Sequence, residues 1–187
     1  MILNPNTPVM VDDPPVTVDY PAAVERWLVT RPGRLRTAEE LAALVTVYRD
    51  ACRAARISDA IALTMMLHET DSMTYALWPQ PPANNPAGIG VTGQEGVGQR
   101  FATLAVGALC HVGLLVAYRY PKTQDDSLSP SQRQLLDLAV GIRPNVPRGV
   151  TGGEPLRLAD LQGPGRWAMD PEYVAKLIRT ADRVVAG

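Results

Sequence analysis

The segment from Ile61 to Leu67 constrains the fold of this 187-residue chain most strongly, because it is apolar on nearly every side. Ser58 can cap a helix that begins at Asp59 and ends near Glu69. A helix that is apolar all round is buried all round, so we expect this helix at the centre of a domain. Aromatic residues are scarce, with three Trp, six Tyr and one Phe. Aliphatic side chains must therefore build most of the core around it.

Capping signals and apolar spacing predict five more helices. Thr37 and Glu40 form a capping box, and Ser129 and Gln132 form a second. The predicted helices lie at about 21–31, 38–55, 99–120, 130–138 and 172–185. The chain is therefore expected to be mainly α.

The remaining segments indicate the domain organisation. Residues 1–21 contain five prolines, which is typical of an extended arm or a linker, and we expect residues 22–187 to form a single domain. Residues 71–98 contain four prolines and five glycines, so we expect a long structured loop there, and loops of this length are often functional. A small β-hairpin could form only at 16–18 or 85–95.

Charge and hydropathy exclude two classes of partner. A net charge of -1 argues against nucleic acid, which requires a strongly basic face. The longest apolar stretch, 101–118, is too interrupted to predict a membrane span. The N-terminus lacks the basic start and apolar run of a signal peptide.

Motif searches also argue against cofactor and metal chemistry. Residues 88–93 match the GxGxxG dinucleotide pattern, but no strand is expected before them. His68 and Glu69 lack the second histidine of a zinc HExxH motif, and His111 is the only other histidine. We expect neither a cofactor nor a metal. Cys52 and Cys110 are predicted to lie in helices, as two buried thiols or as one disulfide.

Glu69 is the most informative polar residue, because it ends the buried helix where a polar loop begins. Burial disfavours a carboxylate, and the negative end of the helix dipole acts in the same direction. Both effects raise the pKa of Glu69, as a general acid working near neutral pH requires. The alternative is a glutamate that simply points into solvent.

Two motifs resemble glycoside hydrolase family 73, the peptidoglycan glucosaminidases. His68-Glu-Thr70, followed by Asn84-Asn-Pro-Ala-Gly-Ile-Gly90, is similar to the family's catalytic Glu and its later Asn-Asn-Leu-Phe-Gly-Ile-Lys. Gly165-Arg-Trp-Ala-Met-Asp-Pro-Glu-Tyr-Val174 is similar to its Arg-Tyr-Ala-Thr-Asp-Pro-x-Tyr. The match covers about residues 55–185. It departs at Thr70–Met73, where the family has Ser-Gly-Trp-Gly.

The resemblance implies a lysozyme-like helical domain whose cleft binds β-1,4-linked amino sugars. Glu69 would protonate the glycosidic oxygen. Glu95 is the first candidate for a second catalytic carboxylate and Asp71 another, and the substrate's N-acetyl group is an alternative nucleophile. Asn84 and Asn85 would cap the loop turn, bind N-acetyl or hydroxyl groups, or do both.

Aromatic side chains near the cleft would stack on sugar faces. The candidates are Tyr75, Trp78, Tyr118 and Trp167. For Tyr118, plain core packing is the alternative. Trp167 stands where the family has Tyr, so a cleft-lining role carries over but a phenol role does not.

The expected function is that of an endolysin-like hydrolase, which cleaves β-1,4-linked N-acetylglucosamine in bacterial cell-wall peptidoglycan. A lytic transglycosylase or muramidase on the same fold is one alternative. A non-catalytic glycan-binding or virion structural protein is another. The wall lies outside the cell, so we expect the chain to be phage-delivered, virion-borne or part of a larger secreted protein.

Overall fold

The computed structural model describes residues 2–11, 19–75, 80–81, 83–91 and 98–187. The α-helices of these residues are α1 (Tyr20–Thr30), α2 (Ala38–Ala55), α3 (Asp59–Glu69), α4 (Leu104–Arg119), α5 (Pro130–Ile142) and α6 (Tyr173–Ala186). Two 3-10 helices, Lys122–Ser127 and Leu158–Leu161, lie in the connections. The prediction of a mainly α chain is confirmed.

Helix α3 is buried as its sequence predicts. Every residue from Ile61 to Leu67 is at most 1 % exposed. Ser58 caps the helix by accepting a hydrogen bond from the Ile61 amide at 3.3 Å. Helices α1, α2 and α6 pack around α3, so its last residue, Glu69, is carried to the edge of the core.

Helices α2, α4 and α5 form the other half of the domain. The predicted capping boxes begin α2 at Thr37 and α5 at Ser129. Helix α4 starts at Leu104, later than the predicted 99, because the Thr103 hydroxyl caps it by accepting from the Val106 amide. A methyl group on Gly113 would lie 2.1 Å from the Leu135 carbonyl oxygen, so glycine permits the close contact of α4 with α5.

Residues 2–11 of the predicted arm or linker pack against the helical domain. Leu3 and Val9 are buried in the core. The Val9 amide donates to the Leu156 carbonyl at 2.8 Å, and the Val9 carbonyl accepts from the Ser58 amide at 2.7 Å. The hairpin expected at 16–18 lies outside the described residues.

The rest of the chain that the structure describes contains isolated β-bridges rather than strands, and residues 85–91 form turns.

Cys52 and Cys110 are buried free thiols, so the disulfide alternative is wrong. Within the described residues, every helix is too short or too polar to cross a membrane.

Candidate active site

Glu69 is the last residue of α3 and lies partly buried between the core and the loop that follows. Thr70 ends the helix and is itself fully buried. Its hydroxyl donates to the Met66 carbonyl at 2.7 Å and accepts from the Met73 amide at 3.0 Å. This double contact fixes the backbone immediately after Glu69.

The turn that follows Glu69 is left-handed at three consecutive residues that are not glycine. Asp71, Ser72 and Met73 have φ values of 45°, 56° and 65°. Each such residue costs about 1–2 kcal/mol, so the surroundings must impose the conformation. The Ser72 amide donates to the Leu67 carbonyl at 2.7 Å, and the Met73 side chain is completely buried. The chain therefore keeps a strained turn directly beside Glu69.

Two donors from the C-terminal segment hold the Glu69 carboxylate. The Tyr173 hydroxyl donates to Oε1 at 2.8 Å, and the Trp167 indole N–H donates to the same oxygen at 3.2 Å. Tyr173 begins α6, and Trp167 lies in the loop just before it. The second of the two sequence motifs thus contacts the glutamate of the first.

The 84–90 loop approaches the other oxygen of the same carboxylate. A methyl group on Gly88 would lie 3.2 Å from Glu69 Oε2. Gly88 has a φ of +58°, which glycine adopts without strain. Glycine at this position therefore lets the loop backbone approach Oε2 closely.

Asn85 organises that loop from inside. Its amide nitrogen donates to the carbonyls of Ile89 and Gln99, and its Oδ1 accepts from the amides of Ala87 and Ile89. The side chain is 0 % exposed. All of its polar side-chain atoms are used within the protein, which favours the structural one of its two predicted roles.

Asn84 ties the loop to two other segments. Its amide nitrogen donates to the carbonyls of Phe101 and Ala102, and its Oδ1 accepts from the Arg36 guanidinium at 2.7 Å. The residue is 8 % exposed and has a φ of +47°. Of the two predicted roles, the structural one is observed. Asn84 anchors the loop to α4, where Gly107 packs against its carbonyl.

Burial dominates the electrostatics of Glu69. Loss of solvent raises the pKa of its carboxyl, and the hydrogen bonds from Tyr173 and Trp167 oppose this rise only in part. Burial also raises the pKa of the Tyr173 hydroxyl, and the neighbouring Glu69 charge adds to the effect. Tyr173 is therefore a neutral donor, and Glu69 holds its proton to a higher pH than an exposed glutamate.

A second layer of rings supports Trp167. The His111 ring centroid lies 5.0 Å from that of Trp167, and the Tyr118 centroid lies at 6.1 Å. The Tyr48 hydroxyl and His111 Nδ1 are hydrogen-bonded at 3.0 Å. Tyr118 is 2 % exposed, which favours core packing, the alternative to its expected stacking on a sugar.

Burial lowers the pKa of His111 from 6.5 to about 3, so the imidazole is neutral at physiological pH. The residue is completely buried on α4. This neutral ring packs against the Trp167 indole, whose N–H donates to Glu69.

Two other predicted site residues, Asp71 and Tyr75, lie in the segment that follows Glu69. Tyr75 follows the left-handed turn and is 45 % exposed. Asp71 has a side chain that is 72 % exposed, and it accepts a hydrogen bond from the Thr74 hydroxyl at 2.9 Å. Trp78 and Glu95 lie outside the described residues.

Sequence reasoning missed Tyr173 and His111 as parts of the site. Tyr173 lies at the start of the predicted last helix and at the final tyrosine of the second motif. That motif position is the signal that could have identified it. His111 offers no such signal, because only the fold brings α4 behind Trp167.

Among the described residues, no three His, Cys, Asp or Glu side chains come together as a metal-binding group. Comparison of the chain with known protein families, with curated proteins and with solved structures finds no match.

Proposed function

We propose that this protein is a glycoside hydrolase that cleaves β-1,4-linked N-acetylglucosamine in bacterial cell-wall peptidoglycan, with Glu69 as the general acid. The observation that carries the proposal is the convergence of three distant segments on one carboxylate. Helix α3 supplies Glu69, the 84–90 loop supplies Gly88, and the C-terminal segment supplies Trp167 and Tyr173. The resemblance to glycoside hydrolase family 73 rests on motifs in the same three segments.

The two oxygens of Glu69 have different surroundings, which favours one of them as the proton donor. Oε1 already accepts hydrogen bonds from Trp167 and Tyr173. The proton of the neutral acid therefore resides on Oε2, beside Gly88. From there it passes to the glycosidic oxygen as the bond to the leaving sugar breaks. The negative charge left on Glu69 is then stabilised by the two donors on Oε1.

A second group must stabilise or attack the sugar that remains in the cleft. Glu95 is the proposed second carboxylate, and the substrate's own N-acetyl group is the alternative nucleophile. Asp71 is less suited, because it is directed toward Thr74 and Arg31 on an exposed turn. The exposed ring of Tyr75, five residues after Thr70, offers a face on which a sugar can stack.

Mass spectrometry of the fragments released from purified peptidoglycan tests the proposal. Wild type is compared with Glu69→Gln and with Glu154→Gln, an exposed glutamate in the 149–155 loop that serves as the matched control. We expect fragments with reducing N-acetylglucosamine ends from wild type and Glu154→Gln, and none from Glu69→Gln.

Other products would decide against this function. Reducing or anhydro N-acetylmuramic acid ends would assign the protein as a muramidase or a lytic transglycosylase. Equal product from wild type and Glu69→Gln would remove Glu69 from the mechanism. No fragments from several wall types, with the protein folded, would favour a non-catalytic glycan-binding or virion structural role.

A further inference from the structure

A small cavity of about 50 Å³ lies where the C-terminal ends of α1 and α3 meet α6. Its polar lining consists of Arg31, His68, Asp71, Ser72, Thr180 and Arg183. We propose that this cavity, the basic pocket, binds a compact oxyanion, either a carboxylate or a phosphate group. The inference goes beyond the proposed hydrolase activity, and only the assignment of the oxyanion to a wall fragment rests on that activity.

Arg31 provides the first reason. Its Nε is buried, and it finds no hydrogen-bond acceptor among the described residues. Its guanidinium is stacked over Trp27, with Cζ at 5.4 Å from the ring centroid, and its nearest carboxylate oxygen on Asp71 is 3.8 Å from Nη2. Because Nε is inaccessible to solvent, a ligand in the pocket reaches Arg31 through its Nη groups. The nearest carboxylate oxygen lies 3.8 Å from Nη2, so an oxyanion in the pocket supplies a closer charged partner.

Hydroxyl groups in the pocket provide further donors. Ser72 Oγ accepts from the Trp27 indole N–H at 3.1 Å, so the hydroxyl proton of Ser72 is still available. Thr180 Oγ1 accepts from Arg183 Nη2 at 3.2 Å, which leaves its proton available in the same way. Because both hydroxyl oxygens are used as acceptors, the two protons can be donated to a ligand.

The local charge is positive although the whole chain carries a net charge of -1. Arg31 and Arg183 line the pocket, and Asp71 is the one acidic residue among its lining residues. Asp71 is 72 % exposed and is partly satisfied by the Thr74 hydroxyl. Two guanidinium groups against one solvated carboxylate favour an anion.

The size of the pocket limits the ligand to one functional group. A carboxylate or phosphate fits into about 50 Å³, and a pyranose ring does not. The pocket adjoins the candidate active site through His68, whose ring packs edge-on against Tyr173 at 5.4 Å. The oxyanion therefore belongs to free phosphate or to a charged substituent of a larger wall fragment.

NMR titration of the full chain with sodium phosphate, against sodium chloride at equal ionic strength, tests the proposal. We expect saturable shifts of the Arg31 Nε–H signal and of the His68 ring signals, and none with chloride. Bound phosphate also raises the pKa of His68, which burial and neighbouring cations lower in the free protein. The charged groups that act on His68 are Lys176, Asp170, Arg183 and Arg179.

Matched variants separate specific binding from surface association. Arg31→Gln and Arg183→Gln should each weaken phosphate binding about tenfold or more, because each removes a charge-assisted hydrogen bond. Arg49→Gln is the control, since Arg49 is exposed and pairs with the adjacent Asp50. Arg183 lies on the exposed side of α6, so it provides the test even if Arg31→Gln does not fold. Shifts that do not saturate, or equal affinity in all variants, would overturn the proposal.

Competition experiments identify the source of the oxyanion. A muramyl dipeptide with free carboxylates is titrated against bound phosphate, and its fully amidated form is the control. Displacement by the free acid alone assigns the pocket to a wall carboxylate, and no displacement assigns it to phosphate. Glu69→Gln should bind phosphate as wild type does, so a failure of the hydrolase proposal is distinguishable from a failure of this one.

Discussion

Lowering the pH from 7 to 5 should destabilise this protein through His111. Burial holds the pKa of His111 at about 3 in the folded state, against 6.5 for an exposed histidine. Between these values the unfolded chain takes up a proton that the folded protein refuses, so stability falls as the pH falls. From pH 7 to pH 5 this linkage costs about 2 kcal/mol.

Urea unfolding at pH 7, 6 and 5 measures this loss for wild type and for His111→Gln. The glutamine is neutral at every pH and retains an oxygen that can accept from the Tyr48 hydroxyl. Other titrating groups contribute equally to both proteins, so the difference between their slopes isolates His111. We expect wild type to lose about 2 kcal/mol more than the variant.

His68→Gln is the matched control, because His68 is the only other histidine and is only partly buried. His68→Gln should therefore lose nearly as much stability as wild type when the pH falls from 7 to 5. Parallel pH profiles for wild type and His111→Gln would refute the reasoning, since His111 would then titrate alike in the folded and unfolded states. The imidazole behind Trp167 would not be the neutral support described above.

Three further substitutions test the contacts around Glu69. Tyr173→Phe should raise the pKa of Glu69 further and slow hydrolysis about tenfold or more, because the Glu69 carboxyl loses a donor that positions it. A pH–rate profile measures both effects, and an unchanged profile would contradict the contact. Gly88→Ala should impair turnover more than Gly33→Ala, because both impose left-handed strain but only the first places a methyl group near Glu69 Oε2. Asn85→Ala should lower the free energy of unfolding by about 3 kcal/mol or more, as measured by urea unfolding, because buried backbone groups lose their partners. The control Asn145→Ala, at an exposed residue, should change it by less than about 0.5 kcal/mol.

Local sequence signals were sufficient to predict which segments form α-helices and that Glu69 ends one of them. The bounds predicted for α2 and α3 match the structure, because a capping box begins α2 and Ser58 begins α3. The predicted start of α4 was wrong by several residues, since Thr103 competes as the cap. The 3-10 helix at Lys122–Ser127 was missed, because a helix of only six residues shows no apolar periodicity.

The contacts around Glu69 depend on tertiary packing, which the sequence pattern does not contain. The motif resemblance predicted that the segments of Glu69, Asn85 and Trp167 belong to one site. It did not predict which of their side chains face the protein interior. Asn85 and Tyr118 proved to be internal, and His111 gains its place only because α4 passes behind Trp167. The left-handed turn after Glu69 was equally invisible, since neither Ser72 nor Met73 is typical of that conformation.

The pKa of the Glu69 carboxyl tests the central claim most directly. It can be measured by ¹³C NMR of the side-chain carboxyl carbons, with the Glu69→Gln spectrum used to assign the signal. The account predicts a midpoint above the ordinary value of 4.5, because burial outweighs the hydrogen bonds from Tyr173 and Trp167. A midpoint at or below 4.5 would contradict it, since Glu69 would then lose its proton too early to serve as the acid.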